Sequence, residues 1–166
     1  MDNKKMTRKS SPATLAKKHV ERPGFDEYFM NIVDDVATRS TCLRRRLGAV
    51  IVKDKRIIAT GYNGAPRNLP HCLDIGCLRD ELKIASGTRH EICRAVHAEQ
   101  NAVLQCAAHG VSCEGATVYT SSSPCMICAK MLVNAGIKRI VFKGDYPDPE
   151  AVELLRKAGV AVEKFG

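Results

Sequence analysis

The order of apolar and polar positions divides this chain into segments of two periods. Phe25, Phe29, Ile32, Val33 and Val36 recur at helical spacing, so FDEYFMNIVDDVATRS is expected to form an amphipathic helix. Two β-branched runs follow, LGAVIVK at 47–53 and RIIATGY at 56–62, with only Asp54 and Lys55 between them. That spacing predicts a hairpin. Residues 63–92 follow neither period and contain Gly, Pro, Asn and two cysteines. A loop of this length inside a compact domain is usually functional or tied by a metal. Beyond it the pattern alternates: helix 98–109 stopped by Gly110, strand 116–121, helix 125–135 capped by Gly136, strand 138–142, helix 150–158 stopped by Gly159, strand 160–165. Such alternation calls for parallel strands joined by right-handed helical crossovers, with the hairpin adding an antiparallel pair. The expected fold is α/β, a three-layer α/β/α sandwich around a mixed sheet of about five strands.

Composition adds bounds. With 166 residues, 45% hydrophobic and 27% charged, the chain matches one ordinary globular domain. No apolar run approaches the ~18 residues of a membrane span. The net charge of +8 is unevenly placed. Residues 1–22 hold seven Lys/Arg against Asp2 and Glu21, a net of +5, which leaves +3 for residues 23–166. We expect a basic, solvated and disordered extension over 1–22 and one folded domain over 23–166. The start of the chain lacks the apolar region of a signal peptide, so a cytoplasmic location and reduced thiols are expected. Eight cysteines then point to metal or catalysis rather than to disulfides.

Chemistry concentrates in RAVHAEQNAV at 94–103 and SSSPCMICAKM at 121–131. If Pro124 starts its helix, Cys125 and Cys128 share the first turn, where free N–H groups favour thiolates. Two thiolates at this spacing are half of a zinc site. His97 is the best third ligand, since it starts a helix whose N-terminus lies along the same sheet edge. Three protein ligands leave a fourth position for water, as in catalytic zinc. Two thiolates nearly neutralise the metal, so Glu99 serves better as a proton shuttle than as a fourth ligand. On an ideal helix His97 and Glu99 would stand about 200° apart, and they converge only if His97 leans over the helix mouth. Taken singly, H-x-E is usually a solvated face, and C-x-x-C is a structural zinc or redox pair. Together, H-x-E followed by P-C-x-x-C is the established signature of zinc-dependent nucleobase deaminases.

From about residue 25 to 165 the chain resembles the deoxycytidylate deaminase family of the cytidine deaminase superfamily. The pieces that carry the resemblance are STCLRRRLGAVIVKDKRIIATGYNGAP, HCLDIGC, RAVHAEQNAV, GATVYTSSSPCMICAKMLVNAGIKRIVF and KAGVAVEKF. GYNGAP upstream of HAE is like the dCMP branch, whereas the tRNA-adenosine branch typically lacks it and the cysteine-bearing insertion. The resemblance implies deamination of dCMP to dUMP, which feeds thymidylate synthesis. Zinc would sit on His97, Cys125 and Cys128 and acidify a water. Glu99 would take the water's proton and deliver protons to N3 and the leaving amine. The family also implies that backbone groups at Ala98 and around Ser122 and Ser123 hold the base edge, that Tyr146 lines the nucleotide pocket, and that a homo-oligomer answers to dCTP and dTTP.

Asn63, between Gly61 and Gly64, is a candidate for the sugar or phosphate, or else an ordinary turn Asn. Arg94 is a candidate phosphate partner, or else a surface Arg. Cys42, Cys72 and His90 match positions that hold a second, structural zinc in phage-type relatives, with Cys77 or Cys93 to complete four ligands. A metal clip would order the long loop, while the plainer alternative is free buried thiols. Cys106 and Cys113 suggest only packing. Two other readings compete: a deaminase of tRNA, a free nucleoside or a riboflavin precursor, and a zinc-stabilised nucleic-acid-binding module. Glu99 speaks against the last, because a structural site has no use for it. Slight charge and few aromatics over 23–166 speak against tRNA.

Overall fold

The computed structural model describes residues 21–166. Apart from Glu21 and Arg22, the expected basic extension therefore lies outside the described residues. The elements run α1 (Phe25–Ala37), β1 (Gly48–Lys53), β2 (Arg56–Tyr62), α2 (Cys72–Ile75), α3 (Leu78–Glu81), a 3-10 turn at His90–Ile92, α4 (Ala98–Ala108), β3 (Thr117–Ser122), α5 (Met126–Asn134), β4 (Arg139–Gly144), α6 (Pro149–Lys157) and β5 (Ala161–Lys164). The five strands are ordered β2-β1-β3-β4-β5. β1 runs antiparallel to β2 and to β3, while β3, β4 and β5 are parallel. Asp54 and Lys55 both take positive φ, 51° and 60°, which matches the right-handed strand twist in a two-residue hairpin.

Helices cover both faces of the sheet. α1 packs on one face, where Phe29, Met30 and Val33 meet Val50, Val52, Tyr119 and Val141. Phe25 stays partly exposed and stacks on Phe29 at a centroid separation of 6.0 Å. Asp26 of α1 accepts hydrogen bonds from Tyr119 Oη at 2.7 Å and from both terminal nitrogens of Arg139 at 2.8 Å, tying the helix to β3 and β4. The other face carries α4, α5 and α6, through Ala98, Ala102, Cys106, Ala129, Leu132, Ala151 and Leu155. Cys106 and Cys113 lie in this second core. Among the described residues no helix is long and apolar enough to cross a membrane.

The seating of α4 places the site. An added Cβ on Gly61 of β2 would stand 2.2 Å from the Ala98 carbonyl and 2.4 Å from the Ala102 nitrogen, so the helix backbone lies directly on the strand. α4 also satisfies the free edge of β2. Gln105 accepts from Thr60 N at 2.9 Å, and Asn101 donates to the Tyr62 carbonyl at 2.7 Å. The expected irregular stretch 63–92 contains two one-turn helices, α2 and α3, too short for periodicity to reveal.

Candidate metal centre and substrate cleft

His97 and Cys125 are not helical residues. Each is the extended residue immediately before its helix, His97 before α4 and Cys125 before α5. Both helices begin beyond the C-terminal end of β3, so their N-termini face one another there. His97 Nδ1 lies 3.5 Å from Cys125 Sγ and 3.4 Å from Cys128 Sγ. The ligand atoms of all three lie within 4.8 Å of one another, and among the described residues no other such group of three occurs. Zinc bonds of ordinary length at tetrahedral angles require an N···S edge of about 3.5 Å. The donor set and its spacing therefore fit zinc.

Electrostatics prepare the thiols. Cys125 is pulled down to about 3, chiefly by its hydrogen bond with Cys128 and further by His97, against the opposing effect of burial. Cys128 is pushed up by that same bond and by burial. Asp148, from the loop before α6, accepts the Met126 N–H at 2.8 Å and so caps the first turn of α5 beside the thiols. Glu99 is only 6% exposed, and burial pushes its carboxyl up.

These groups line a cleft partly open to solvent, at the end of β3 where the sheet changes direction. His97, Glu99, Cys125, Asn63, Arg94, Ser122, Ser123 and Tyr146 all line it. Ala98 is fully buried beneath it, and as the first residue of α4 its N–H has no partner inside the helix. Ser122 Oγ is buried without a partner among the described residues, which leaves it open to a ligand. Ser123 is already engaged: its N–H donates to the Gly144 carbonyl at 2.8 Å and its Oγ accepts from Tyr146 N at 2.7 Å. Asn63 is largely spent as well. Its Oδ1 accepts from Ser40 Oγ at 2.6 Å and Leu47 N at 2.9 Å, and its Nδ2 donates to the Arg45 carbonyl at 2.8 Å. It holds the cleft wall as a turn residue, with one amide hydrogen left over.

The second set of expected ligands is divided. Cys42, Cys72, Cys77 and Cys93 all line the cleft, and the last two together with Cys42 help burial to raise the Cys72 thiol. His90 lines the same cleft but turns toward other partners. Its Nε2 lies 2.5 Å from Tyr146 Oη, and its ring packs edge-on against His97 at 5.3 Å. Burial lowers its pKa, favouring the neutral imidazole.

Sequence reasoning missed Arg44, Arg45 and Arg79, all cleft-lining. Arg45 stands 5.2 Å from the centre of the Tyr146 ring. The triplet Arg44, Arg45 and Arg46 was a visible charge run, but which member turns inward depends on the loop leading to β1. Arg79 gave no signal, because its position follows from the fold of α2 and α3.

Residues 23–143 match the family model described as the cytidine and deoxycytidylate deaminase zinc-binding region. ComE operon protein 2 of Bacillus subtilis is 44% identical over 146 residues, 87% of this chain and 73% of that protein. Deoxycytidylate deaminase of Saccharomyces cerevisiae is 39% identical over 145 residues, and the match spans 46% of its length. The crystal structure of dCMP deaminase from the cyanophage S-TIM5 in complex with dCMP and dUMP aligns with a TM-score of 0.74 at 31% identity, covering 88% of this chain and all of that one.

Proposed function

We propose that this chain, which belongs to the cytidine and deoxycytidylate deaminase family, hydrolyses dCMP to dUMP and ammonia. The observation that carries the reading is Glu99, a buried carboxyl that lines the same cleft as the His97, Cys125 and Cys128 donor set. The dCMP deaminase named among the similar structures was solved with dCMP and dUMP, which supports the same substrate and product here.

Deamination exchanges the C4 amine of cytosine for the oxygen of water. His97, Cys125 and Cys128 would hold zinc, which when bound would supply a water acidified to near-neutral pH. Glu99 accepts a proton from that water and passes it to ring N3. The water oxygen bonds to C4, and Glu99 then carries that oxygen's remaining proton to the amine, so the C4–N bond breaks, ammonia leaves and one carboxyl serves as base and acid in turn. Burial holds its carboxyl above the usual carboxylate range, which suits a group that must donate as well as accept. Ser122 Oγ and the free N–H at Ala98 are placed to fix the base edge. Tyr146 closes one side of the cleft, braced by His90 and Ser123.

The same reading carries a cytoplasmic homo-oligomer with dCTP and dTTP as effectors, and a second zinc on Cys42, Cys72 and His90 with Cys77 or Cys93. The test is ammonia release from zinc-loaded protein given dCMP, CMP, deoxycytidine or an adenosine anticodon stem-loop. Turnover of dCMP is the expected result. An inert dCMP beside turnover of another substrate would sink the reading.

A further inference from the structure

His90 takes no part in the proton transfers, yet the fold delivers it to a metal donor and to the cleft wall alike. It is half-buried in the cleft lining, on the 3-10 turn His90–Ile92. The backbone leading to it is strained. Arg89, just before the turn, takes the left-handed conformation with φ 53° and ψ 50°. A residue with a long side chain adopts that conformation where its surroundings hold it there. Gly87 is left-handed as well, with φ 84°, and a Cβ on it would stand 3.0 Å from Pro147 Cγ. Segment 87–90 is therefore pressed against the loop between β4 and α6. It makes a second contact there, where His90 Nε2 lies 2.5 Å from Tyr146 Oη.

That second contact is the one that fixes the Tyr146 ring. The Tyr146 N–H donates to Ser123 Oγ at 2.7 Å, which holds the backbone and leaves the side chain to turn. Arg45 stands 5.2 Å from the ring centre, a looser contact without a hydrogen bond. Among the described residues His90 is the only hydrogen-bond partner of the Tyr146 hydroxyl. With that hydroxyl engaged, Tyr146 offers the cleft its ring. The same imidazole packs edge-on against the His97 ring, with centroids 5.3 Å apart and planes at 80°. Groups behind a metal-binding histidine set the orientation of its ring. His90 thus touches both a metal donor and a wall of the cleft, and a group that touches both sets the distance between them. Turnover is sensitive to such distances, since about 1 Å of misplacement at reacting groups costs about 100-fold.

We infer that His90 is a positioning residue: seated against His97, it holds the Tyr146 ring through Nε2 and so governs the turnover of bound nucleotide more than its binding. The inference rests on the deaminase reading for the reaction it serves, but the brace can be read apart from turnover. Three variants of the zinc-loaded full chain test it. His90→Phe keeps a ring without the hydrogen bond. His90→Gln keeps an amide near the place of Nε2 and is not a zinc ligand, which separates bracing from metal binding. Tyr146→Phe removes the hydroxyl. For each, kcat and KM for dCMP are measured with the dissociation constant of dUMP. The ¹³C resonance of the hydroxyl-bearing carbon of Tyr146 is followed as well, identified among the four tyrosines by its disappearance in Tyr146→Phe.

In His90→Phe, kcat should fall about 10-fold, as for loss of one buried hydrogen bond, while KM and dUMP affinity change less than about threefold. His90→Gln should recover at least about threefold of that loss. The double variant His90→Phe/Tyr146→Phe should be no slower than the slower single one, because both remove one interaction. The Tyr146 resonance should move in His90→Phe and return toward the parent in His90→Gln. Losses that add in the double variant overturn the inference, as do a His90→Gln variant as slow as His90→Phe, a dUMP affinity that falls as far as kcat, or an unmoved resonance. If His90→Phe does not fold, the parent and Tyr146→Phe decide. The ¹⁵N resonance of His90 Nε2 should shift on Tyr146→Phe, and kcat should fall with dUMP affinity kept; failure of either result overturns the inference. The two readings fail separately. Coupled His90 and Tyr146 resonances in a parent that leaves dCMP intact keep the brace and lose the proposed reaction. A parent that deaminates dCMP at a rate indifferent to His90 keeps the reaction and loses the brace.

Discussion

Glu99 and Asn63 are both buried polar residues in one cleft, and their hydrogen bonds separate their roles. Asn63 gives nearly all its capacity to Ser40, Leu47 and Arg45, so its work is to hold a turn. Glu99 is pushed toward its neutral form by burial and is aimed at the metal donors. A carboxyl in that position is costly unless its proton is needed. It converges with His97 because His97 precedes α4 and leans over its end, where an all-helical pair would diverge. Glu99→Gln keeps the shape and removes the proton carrier. We expect kcat to fall by about 10³-fold, within the range for losing a general acid–base group, while zinc per chain stays constant. Loss of zinc from this variant would show that Glu99 is a ligand.

α4 connects the sheet to the chemistry, and Gly61 sets its height. The strand and helix backbones are so close that a Cβ at Gly61 would overlap the Ala98 carbonyl. Gly61→Ala must lift the N-terminus of α4, which carries His97 and Glu99. Overpacking of this kind costs about 1–3 kcal/mol. For a domain of this size that lowers Tm by roughly 2–10 °C. Activity should fall further than stability, because a shift of about 1 Å at reacting groups costs about 100-fold. An unchanged melting curve and unchanged turnover would show that the contact is slack. Gly61 also marks how far the sequence could be read. The hairpin, the alternating strands and helices, and the starts of α4 and α5 were legible, because periodicity, caps and stops are local. That Gly61 packs against a helix rather than a ligand was not, and neither was the capping of α5 by Asp148, because both depend on elements distant in sequence. The contacts of His90 with Tyr146 and His97 were hidden for the same reason, since they are made by a one-turn 3-10 helix in a loop.

Across the whole molecule, the His97, Cys125 and Cys128 set fastens two helix starts that the sheet alone leaves side by side. α4 belongs to the antiparallel half, seated on β2, and α5 belongs to the parallel half, bridging β3 to β4. The motifs could announce the donors, and their order along the chain implied a shared edge, but only the assembled sheet shows that they join its two halves. The cleft lies over that junction, so the metal should stabilise the fold as well as serve the reaction. A ligand that binds only the folded state adds about 2.7 kcal/mol at a hundredfold excess over its dissociation constant. Removing zinc with a chelator should therefore lower Tm by roughly 5–10 °C, and added zinc should restore it. Cys128→Ala should melt near the chelated parent and ignore both treatments, because the fastening is already open. Glu99→Gln should respond to chelator and zinc as the parent does, since it retains all three donors. A parent whose melting is indifferent to chelation would confine the metal to chemistry and leave the junction to Gly61, Asn101 and Gln105.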